Sequence, residues 1–512
     1  MAQIQVTDLT FSYEGSAEEV FKHATFRIDT DWKLGLIGRN GKGKTTLLKL
    51  LMERYPYRGS ISASTRFDYF PYELTDTDLD RTGAELAEEW KPQAESWQIL
   101  IQMGELQMDA ECLYRPFRTL SFGERTRVML AVLFATKNEF LLIDEPTNHL
   151  DGRARDIVRG YLGTKKGFIL VSHDRDLLDA VCDHVLVLNR ETIEVQTGDF
   201  SSWWENKERQ DAFRQAENEK HLKEIGKLKA AADRSDRWAQ KNENTKIGFD
   251  PSKEPDRNIS TRSYIGARTK KMQARVKAYE TRIGREIEEK EGLLNDIERV
   301  VDLKIRPLRY HKEVLIDADD LSLRYEGASQ ALFTGLRFQV RQGARVVLSG
   351  ENGCGKSSLI HAILQKLRDP VDAEDDRSGM HISGRLEVAS GLTVSYVSQD
   401  TSFLSGSLRD FAYHRGFDES LFFAVLKNLD LGREQFFRNM EEYSEGQKKK
   451  VLIAASLITP AHLYVWDEPM NYIDVFSRMQ IEKLILTYQP TMLLVEHDVR
   501  FRERVAADVV EL

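Results

Sequence analysis

An internal repeat longer than 300 residues constrains this chain more than any local pattern does. "LTFSYEGS" near the start returns as "LSLRYEGA", which pairs Tyr13 with Tyr325 at an offset of 312. "GRNGKGKTTLL" returns as "GENGCGKSSLI", pairing Lys44 with Lys356 at the same offset of 312. "LLIDEPTNHLD" and "YVWDEPMNYID" pair Glu145 with Glu468 at 323, and "ILVSHD" and "LLVEHD" pair His173 with His497 at 324. Solenoid repeats have periods of about 20–50 residues. A period this long means two copies of a whole domain. The offset grows between the Gly-rich loop and Tyr396, and "LRDPVDAEDDRSGMHIS", acidic with Pro and Gly, is the expected surface insertion.

The copies occupy residues 1–200 and 313–512, and a segment of different character, 201–312, joins them. It opens with the charged, helix-forming "SSWWENKERQDAFRQAENEKHLKEIGKLKAAADRS", carrying a thin apolar stripe of Leu222, Ile225 and Leu228. "NENTKIGFDPSKEPDRNIST" breaks the pattern with Asn, Gly and two prolines. A second run places Met272, Val276, Tyr279, Ile283, Ile287, Leu294, Ile297 and Val301 at spacings of three, four or seven, a coiled-coil seam. Two helices joined by one loop predict an antiparallel helical hairpin ending near Pro307.

Charge is uneven along the chain. With 73 basic and 82 acidic residues the net charge is -9, which argues against uniform coating of nucleic acid. Yet Arg262 to Arg285 holds eight Lys or Arg and one acid, Glu280. A solvated helix face usually mixes signs; this stretch is either such a face or a local footprint for phosphates. No apolar run approaches the ~20 residues that cross a bilayer, and "MAQIQVTDLTFSYEGS" lacks a signal-peptide pattern. Cys112, Cys182 and Cys354 are scattered and odd in number, so a reducing, cytoplasmic setting is expected.

The repeated motifs carry phosphate chemistry. Residues 38–45 and 350–357 match GxxxxGK followed by Ser or Thr, each between an apolar strand and a helical stretch. Gly38, Asn40, Gly41 and Gly43, with Gly350, Asn352, Gly353 and Gly355, would wrap backbone N–H groups around phosphates at a helix N-terminus. Lys44 and Lys356 would reach the terminal phosphates, followed by Thr46 and Ser358, while Thr45 and Ser357 would ligate Mg²⁺. "FLLID" and "LYVWD" each end in Asp followed by Glu, and unpaired buried charge is too costly for packing alone. Asp144 and Asp467 are therefore candidate Mg²⁺ holders, and Glu145 and Glu468 candidate general bases for an attacking water. His173 and His497 follow further apolar strands, within reach of a γ-phosphate.

Gly-rich loop, "LSFGE" (120–124) or "YSEGQ" (443–447), strand-Asp-Glu and strand-His, in that order, resemble ATP-binding cassette domains. The resemblance implies an α/β fold with two tandem cassettes that sandwich two ATPs head to tail. Site one would join residues 38–45 to Ser444 and Gly446; site two would join residues 350–357 to Ser121 and Gly123. Tyr13 and Tyr325 correspond to the aromatic that stacks on adenine. Phe122 and Glu445 replace the first of the family's two glycines after the signature serine. Gln399 in "YVSQD" matches the family's Mg²⁺ and lid glutamine, whereas "YFPYE" supplies Tyr72, so inequivalent ATP sites are expected.

Two cassettes in one chain, a helical linker and "DEPTNHLD" resemble the ABC-F proteins, which act on ribosomes. The resemblance implies ATPase activity, a monomer with intramolecular cassette pairing, and a 70S ribosome as partner. The linker would enter the tRNA exit site near P-site tRNA. "SYIGARTKKMQARVK" resembles the start of the second linker helix, so Arg262, Arg268, Lys270, Lys271, Arg275 and Lys277 are expected to meet rRNA phosphates. Ile247 and Phe249, the large apolar residues of the polar turn, are expected to touch RNA bases or tRNA. "DEPMNYID" and "YFPYE" resemble Lsa- and Vga-type antibiotic-resistance members. The Tyr72–Ser121 and Gln399–Ser444 gaps are similar in length, so the inserted arm of housekeeping members is not expected. Nor is a C-terminal extension, as the sequence runs only briefly past His497. A housekeeping translation factor and, more remotely, the energy subunit of a membrane exporter remain alternatives; a DNA-repair ATPase would want a zinc-hook cysteine pair that the hairpin turn lacks.

Overall fold

The computed structural model describes residues 3–14, 19–136, 139–148, 150–188, 193–247, 303–328, 330–367 and 379–512, together with Lys277, Ala278 and Arg282. The chain divides into two compact units, Met1–Trp203 with Val301–Leu512, and Trp204–Val300. The first unit contains both repeats.

In the first repeat, β1 (Gln3–Phe11) pairs with β2 (Phe21–Asp29) and β4 (Arg58–Ala63) in a three-stranded antiparallel sheet. Its strands alternate, burying Ile4, Val6, Leu9 and Phe11 of β1, as expected for a sheet with one face on a core. The second sheet has six strands in the order β5-β6-β7-β3-β8-β9. These are β3 (Lys33–Gly38), β5 (Arg66–Phe70), β6 (Glu139–Asp144), β7 (Phe168–Val171), β8 (His184–Leu188) and β9 (Ile193–Thr197), parallel except for the last pair. Their centres, "LGLIG", "FLLI" and "FILV", are unbroken apolar runs because both faces are covered. Helices α1 (Lys44–Leu51), α2 (Gly83–Trp90), α3 (Ser96–Glu105), α4 (Phe122–Leu133), α5 (Gly152–Thr164) and α6 (Arg175–Val181) complete the repeat, and α7 (Phe200–Ile247) follows.

The second repeat has the same plan. β10 (Val314–Tyr325), β11 (Phe333–Arg341) and β13 (Met380–Val388) form the antiparallel sheet. β12 (Arg345–Ser349), β14 (Val394–Val397), β15 (Leu463–Asp467), β16 (Met492–Val495) and β17 (Asp508–Glu511) form a parallel sheet ordered β14-β15-β16-β12-β17. Its helices are α8 (Lys356–Lys366), α9 (Leu408–His414), α10 (Glu419–Asn428), α11 (Glu445–Ile458), α12 (Val475–Tyr488) and α13 (Val499–Val505). The insertion expected across "LRDPVDAEDDRSGMHIS" is shorter at its end than the sequence suggests. "MHIS" belongs to β13, where Met380 to Ser383 pair with Tyr325 to Ser322, because backbone pairing there outweighs the loop-like composition.

Both parallel sheets bring three strand ends together. Neighbours β6, β7 and β3 place Asp144, His173 and the 38–45 loop at one edge, where open α/β sheets hold ligands. β15, β16 and β12 do the same for Asp467, His497 and residues 350–357.

One buried charge cluster ties the helical part of the first repeat to its sheet. Lys91, only 2% exposed, caps α2 and sets its Nζ 2.9 Å from Asp68 Oδ2 and 2.8 Å from Glu139 Oε2. Lys91→Ala leaves two half-buried carboxylates without their cation, a change that costs about 3–5 kcal/mol. The expected result is a lower urea midpoint with an unchanged slope; a shift below about 1 kcal/mol would show the cluster to be solvated.

Candidate functional site

The two Gly-rich loops share one geometry. Gly43 at φ 88° and Gly355 at φ 106° precede α1 and α8 in the left-handed region that favours glycine. Lys44 Nζ donates to Gly38 O at 2.8 Å and to Arg39 O and Asn40 Oδ1 at 3.3 Å. Lys356 Nζ donates to Gly350 O at 2.9 Å and Glu351 O at 2.8 Å. Each ammonium is thus folded into the concavity of its own loop, where phosphate oxygens would take over from the carbonyls. Burial pulls Lys44 below its ordinary pKa, against the nearby Asp474, Glu145 and Asp144 carboxylates.

The hydroxyls after the lysines point at the strand-end aspartates. Thr45 Oγ1 donates to Asp144 Oδ2 at 2.7 Å, and Ser357, in the same position after Lys356, lies beside Asp467, where burial raises the carboxyl's pKa and Ser357 acts against the rise. Thr46 and Ser358 turn the other way, to Tyr13 at 2.7 Å and Tyr325 at 2.9 Å through the phenol oxygens. Both tyrosines keep exposed rings, 43% and 40%, beside the loops, where an aromatic base can stack.

One hydroxyl and one carboxylate per loop form a hard oxygen set that suits Mg²⁺, which leaves its remaining positions to phosphates and water. Among the described residues there is no cluster of three His, Cys, Asp or Glu that would make an all-protein cage. Asp467 Oδ1 is buried without a hydrogen-bond partner there, as a carboxylate awaiting a cation would be. The residues therefore fit the metal.

Glu145 and Glu468 both adopt left-handed backbone, at φ 52° and 46°. Such strain in a non-glycine residue clusters at functional sites. His173 Nε2 lies 3.3 Å from Glu145 Oε1, and His497 Nε2 lies 3.3 Å from Glu468 Oε1. Neither contact is well aligned, and Glu145 Oε1 and His497 Nε2 keep capacity for a further partner among the described residues. Burial, then Asp144, raises Glu145 to about 8. Burial also raises Glu468, but the nearby His497, with Lys449 and Lys356, outweighs it and holds that carboxyl below its ordinary value. Burial, with Lys44 and Arg478, keeps His173 neutral well below its usual range.

Across the repeats, the 38–45 loop meets the second repeat directly. Asn40 Nδ2 donates to Tyr472 O at 2.8 Å. Gly446 is buried against the same carbonyl; a Cβ there would stand 2.6 Å from Tyr472 O and 3.5 Å from Asn40 Nδ2. Ser444 begins α11 as its N-cap, accepting from Gln447 N, and Ser121 caps α4, accepting from Glu124 N. Both are capping boxes, so "SEGQ" and "SFGE" are also helix-start signals. Among the described residues, Gly123 has Leu150 near its Cβ position, at 3.5 Å.

Tyr72 and Gln399 diverge. Gln399 Nε2 donates to Glu468 Oε2 at 3.0 Å, joined by Asn471 Nδ2 at 2.7 Å. Tyr72 turns away, stacks on Trp90 at 4.5 Å and donates to Asp68 Oδ2 at 2.9 Å, in the Lys91 cluster. Tyr69 instead donates to Asp144 Oδ2 at 3.1 Å. Sequence reading missed Tyr69, although the matching register of "DYFPY" and "SYVSQ" carried the signal. It also missed the cross-repeat Asn40–Tyr472 contact, which no local pattern encodes.

Of the linker residues, Lys277 is helical and exposed, and Ile247 ends α7. Phe249, Arg262, Arg268, Lys270, Lys271 and Arg275 lie outside the described residues.

The ABC transporter family model matches residues 21–148 and 333–471. The ribosome protection protein VmlR of Bacillus subtilis is 26% identical over 98% of this chain and 85% of its own length. The erythromycin resistance ATP-binding protein MsrA of Staphylococcus epidermidis is 28% identical over 94% and 92%. A crystal structure of the archaeal ribosome recycling factor aABCE1 with a ribosomal stalk protein superposes with a TM-score of 0.60 at 19% identity, covering 98% of this chain and 87% of that one, a likeness of fold.

Gly446→Ala tests the joint between the repeats. The added methyl must displace Tyr472 O, the acceptor of the Asn40 bond, an overpacking cost of about 1–3 kcal/mol. Calorimetric titration with a non-hydrolysable nucleoside triphosphate should show one of two sites weakened by that amount and the other unchanged; two unchanged sites would dissociate Gly446 from the 38–45 loop.

Proposed function

The chain belongs to the ABC transporter family of ATP-binding cassette ATPases, and we propose that it is an ABC-F protein that binds the bacterial ribosome. There it would protect the peptidyl-transferase region from drugs of the lincosamide, streptogramin A and pleuromutilin type. The cassettes are assigned to 1–200 and 313–512 and the linker to 201–312. The observation that carries this reading is the cross-repeat joint, Asn40 to Tyr472 beside Gly446. It pairs two cassettes within one chain, so ATP-driven closure needs no second subunit. Among the described residues no helix is long and apolar enough to cross a membrane, and the similarity to a ribosome protection protein runs nearly end to end.

In each site the Gly-rich loop and its lysine, Lys44 or Lys356, hold the terminal phosphates. Thr45 and Asp144, or Ser357, Asp467 and Gln399, would hold Mg²⁺, which would supply positive charge to the phosphate oxygens. Glu145 and Glu468 accept the proton of the attacking water, and His173 and His497 hold each glutamate's orientation and face the γ-phosphate. Ser444 and Gly446 close site one; Ser121 and Gly123 close site two. Tyr13 and Tyr325 stack on adenine.

Glu145→Gln with Glu468→Gln preserves shape but removes the proton acceptors. ATP should still bind, turnover should vanish, and the protein should sediment with 70S ribosomes in ATP. Normal turnover in the double variant overturns the glutamate roles. Expressed in a drug-sensitive bacterium, the wild type should raise resistance to the drugs named above and the double variant should not.

The linker should fail in two separable ways. Lys270, Lys271 and Arg275 changed together to Ala should weaken ribosome pelleting and flatten its salt dependence, as expected when phosphate contacts are lost. Phe249→Ala should leave binding and ATPase nearly intact while lowering resistance, because base stacking, worth ~1–3 kcal/mol, perturbs the drug site rather than anchoring the protein. Full resistance in Phe249→Ala assigns protection to other linker residues.

A further inference from the structure

The phosphate loop of site one is held from outside by two consecutive residues. Asn40 bonds to Tyr472 O, as described. Arg39 pairs with Asp430 at 3.3 Å and lays its guanidinium 6.0 Å from the centre of the Phe476 ring. Phe476 lies in the first turn of α12, two residues after Asp474, and is 8% exposed. Its ring meets Trp203 edge to face, with centroids 6.0 Å apart at 77°. Trp203, 6% exposed, belongs to the first turn of α7, the helix that leaves the first repeat for the linker. It packs in turn on Phe200, 2% exposed, at 5.7 Å.

A second grip secures the same turn. Ser201 N and Oγ donate to Asp179 at 2.7 and 2.5 Å. Arg500, three residues past His497, reaches across the repeats to Asp179 Oδ2 at 2.7 Å, Asp176 Oδ1 at 3.1 Å and Ser201 Oγ at 3.2 Å. The start of α7 is therefore clamped between the repeats. From it an aromatic–cation path, Trp203 to Phe476 to Arg39, runs into the loop that holds phosphate.

We infer that Trp203 and Phe476 are positioning residues for site one, setting Arg39 and hence the 38–45 loop against the second repeat, so that ATP at this site and the linker root are coupled. The inference rests on the reading of residues 38–45 as an ATP loop. Cation–π and edge-to-face contacts depend on ring position, so displacing Trp203 moves Phe476 and loosens the hold on Arg39. Coupling of binding free energies is reciprocal. ATP that tightens the 39–40 contacts biases residues 200–203, and a force on the linker root changes the affinity of site one. Residues 350–357 hold Glu351 where site one has Arg39, so the second loop cannot form the same cation–π contact.

The test separates the sites by silencing one glutamate at a time in the full chain. With Glu468→Gln, turnover comes from site one. Trp203→Ala and Phe476→Ala should each raise the KM for ATP about fivefold, the size of one lost edge-to-face contact, with kcat within about twofold. With Glu145→Gln, turnover comes from site two, and the same variants should change KM by less than about twofold. Trp203→Phe should restore most of the site-one affinity, since an aromatic edge is retained. A fluorescence change on ATP addition that is present in the wild type and smaller in Trp203→Phe would report motion of the root itself. Equal effects on both sites, or none on either, overturn the inference. None of these measurements involves a ribosome, so failure here is distinct from failure to bind or protect one.

Discussion

Arg175 is 1% exposed, and its Nη2 ends on Glu482, 3% exposed, at 2.9 Å, across the boundary between the repeats. Arg504 donates to the other oxygen of Glu482 at 2.7 Å, and Arg478 pairs with Asp498 at 3.1 Å nearby. Taking such charges out of water costs several kcal/mol per ion, and leaving one partner unpaired is worse. Of these pairs, Arg504–Glu482 and Arg478–Asp498 lie within the second repeat; only Arg175–Glu482 spans the two repeats, so Arg175 keeps its partner only while they are apposed. A hydrophobic interface of the same area would hold them together without fixing their register. Discrete ion pairs fix both, and in that register Asn40 lies against Tyr472 and Gly446 beside the 38–45 loop.

The two sites are built from equivalent parts without being alike. In the second repeat Gln399 and Asn471 both bond to Glu468, and His497 draws its carboxyl down. In the first, Tyr72 has been recruited into the cluster around Lys91, and Tyr69 bonds to Asp144 instead. Glu145 is left to burial and to its neighbour Asp144, which push it up. A phenol cannot donate and accept in the geometry of an amide. One substitution thus redirects a strand end, while burial beside Asp144 raises one strand-end glutamate and the cations around the other lower it.

Much of this was legible in the sequence because it is local and occurs twice. The apolar runs announced strands, and the glycine spacing announced loops at helix N-termini. The difference between Tyr72 and Gln399 announced unequal sites. Other features had no local signature. The left-handed backbone at Glu145 and Glu468 follows from how a strand end meets the next turn. The partner of Asn40 lies 432 residues away. "MHIS" reads as loop by composition and is strand because Leu323 to Tyr325 are there to pair with it.

The chain's covalent order thus decided which groups exist: two lysines in Gly-rich loops, two Asp-Glu pairs, two histidines, and a tyrosine where a glutamine would stand. Each depends on residues a few positions apart, within reach of strand and helix periodicity. Tertiary structure alone decided which group faces which. Trp203, Phe476 and Arg39 are far apart in sequence and form one path only because buried charges at the interface bring the repeats into a single register. Periodicity along the chain cannot encode that register; it depends on pairings such as Arg175 with Glu482, 307 positions apart.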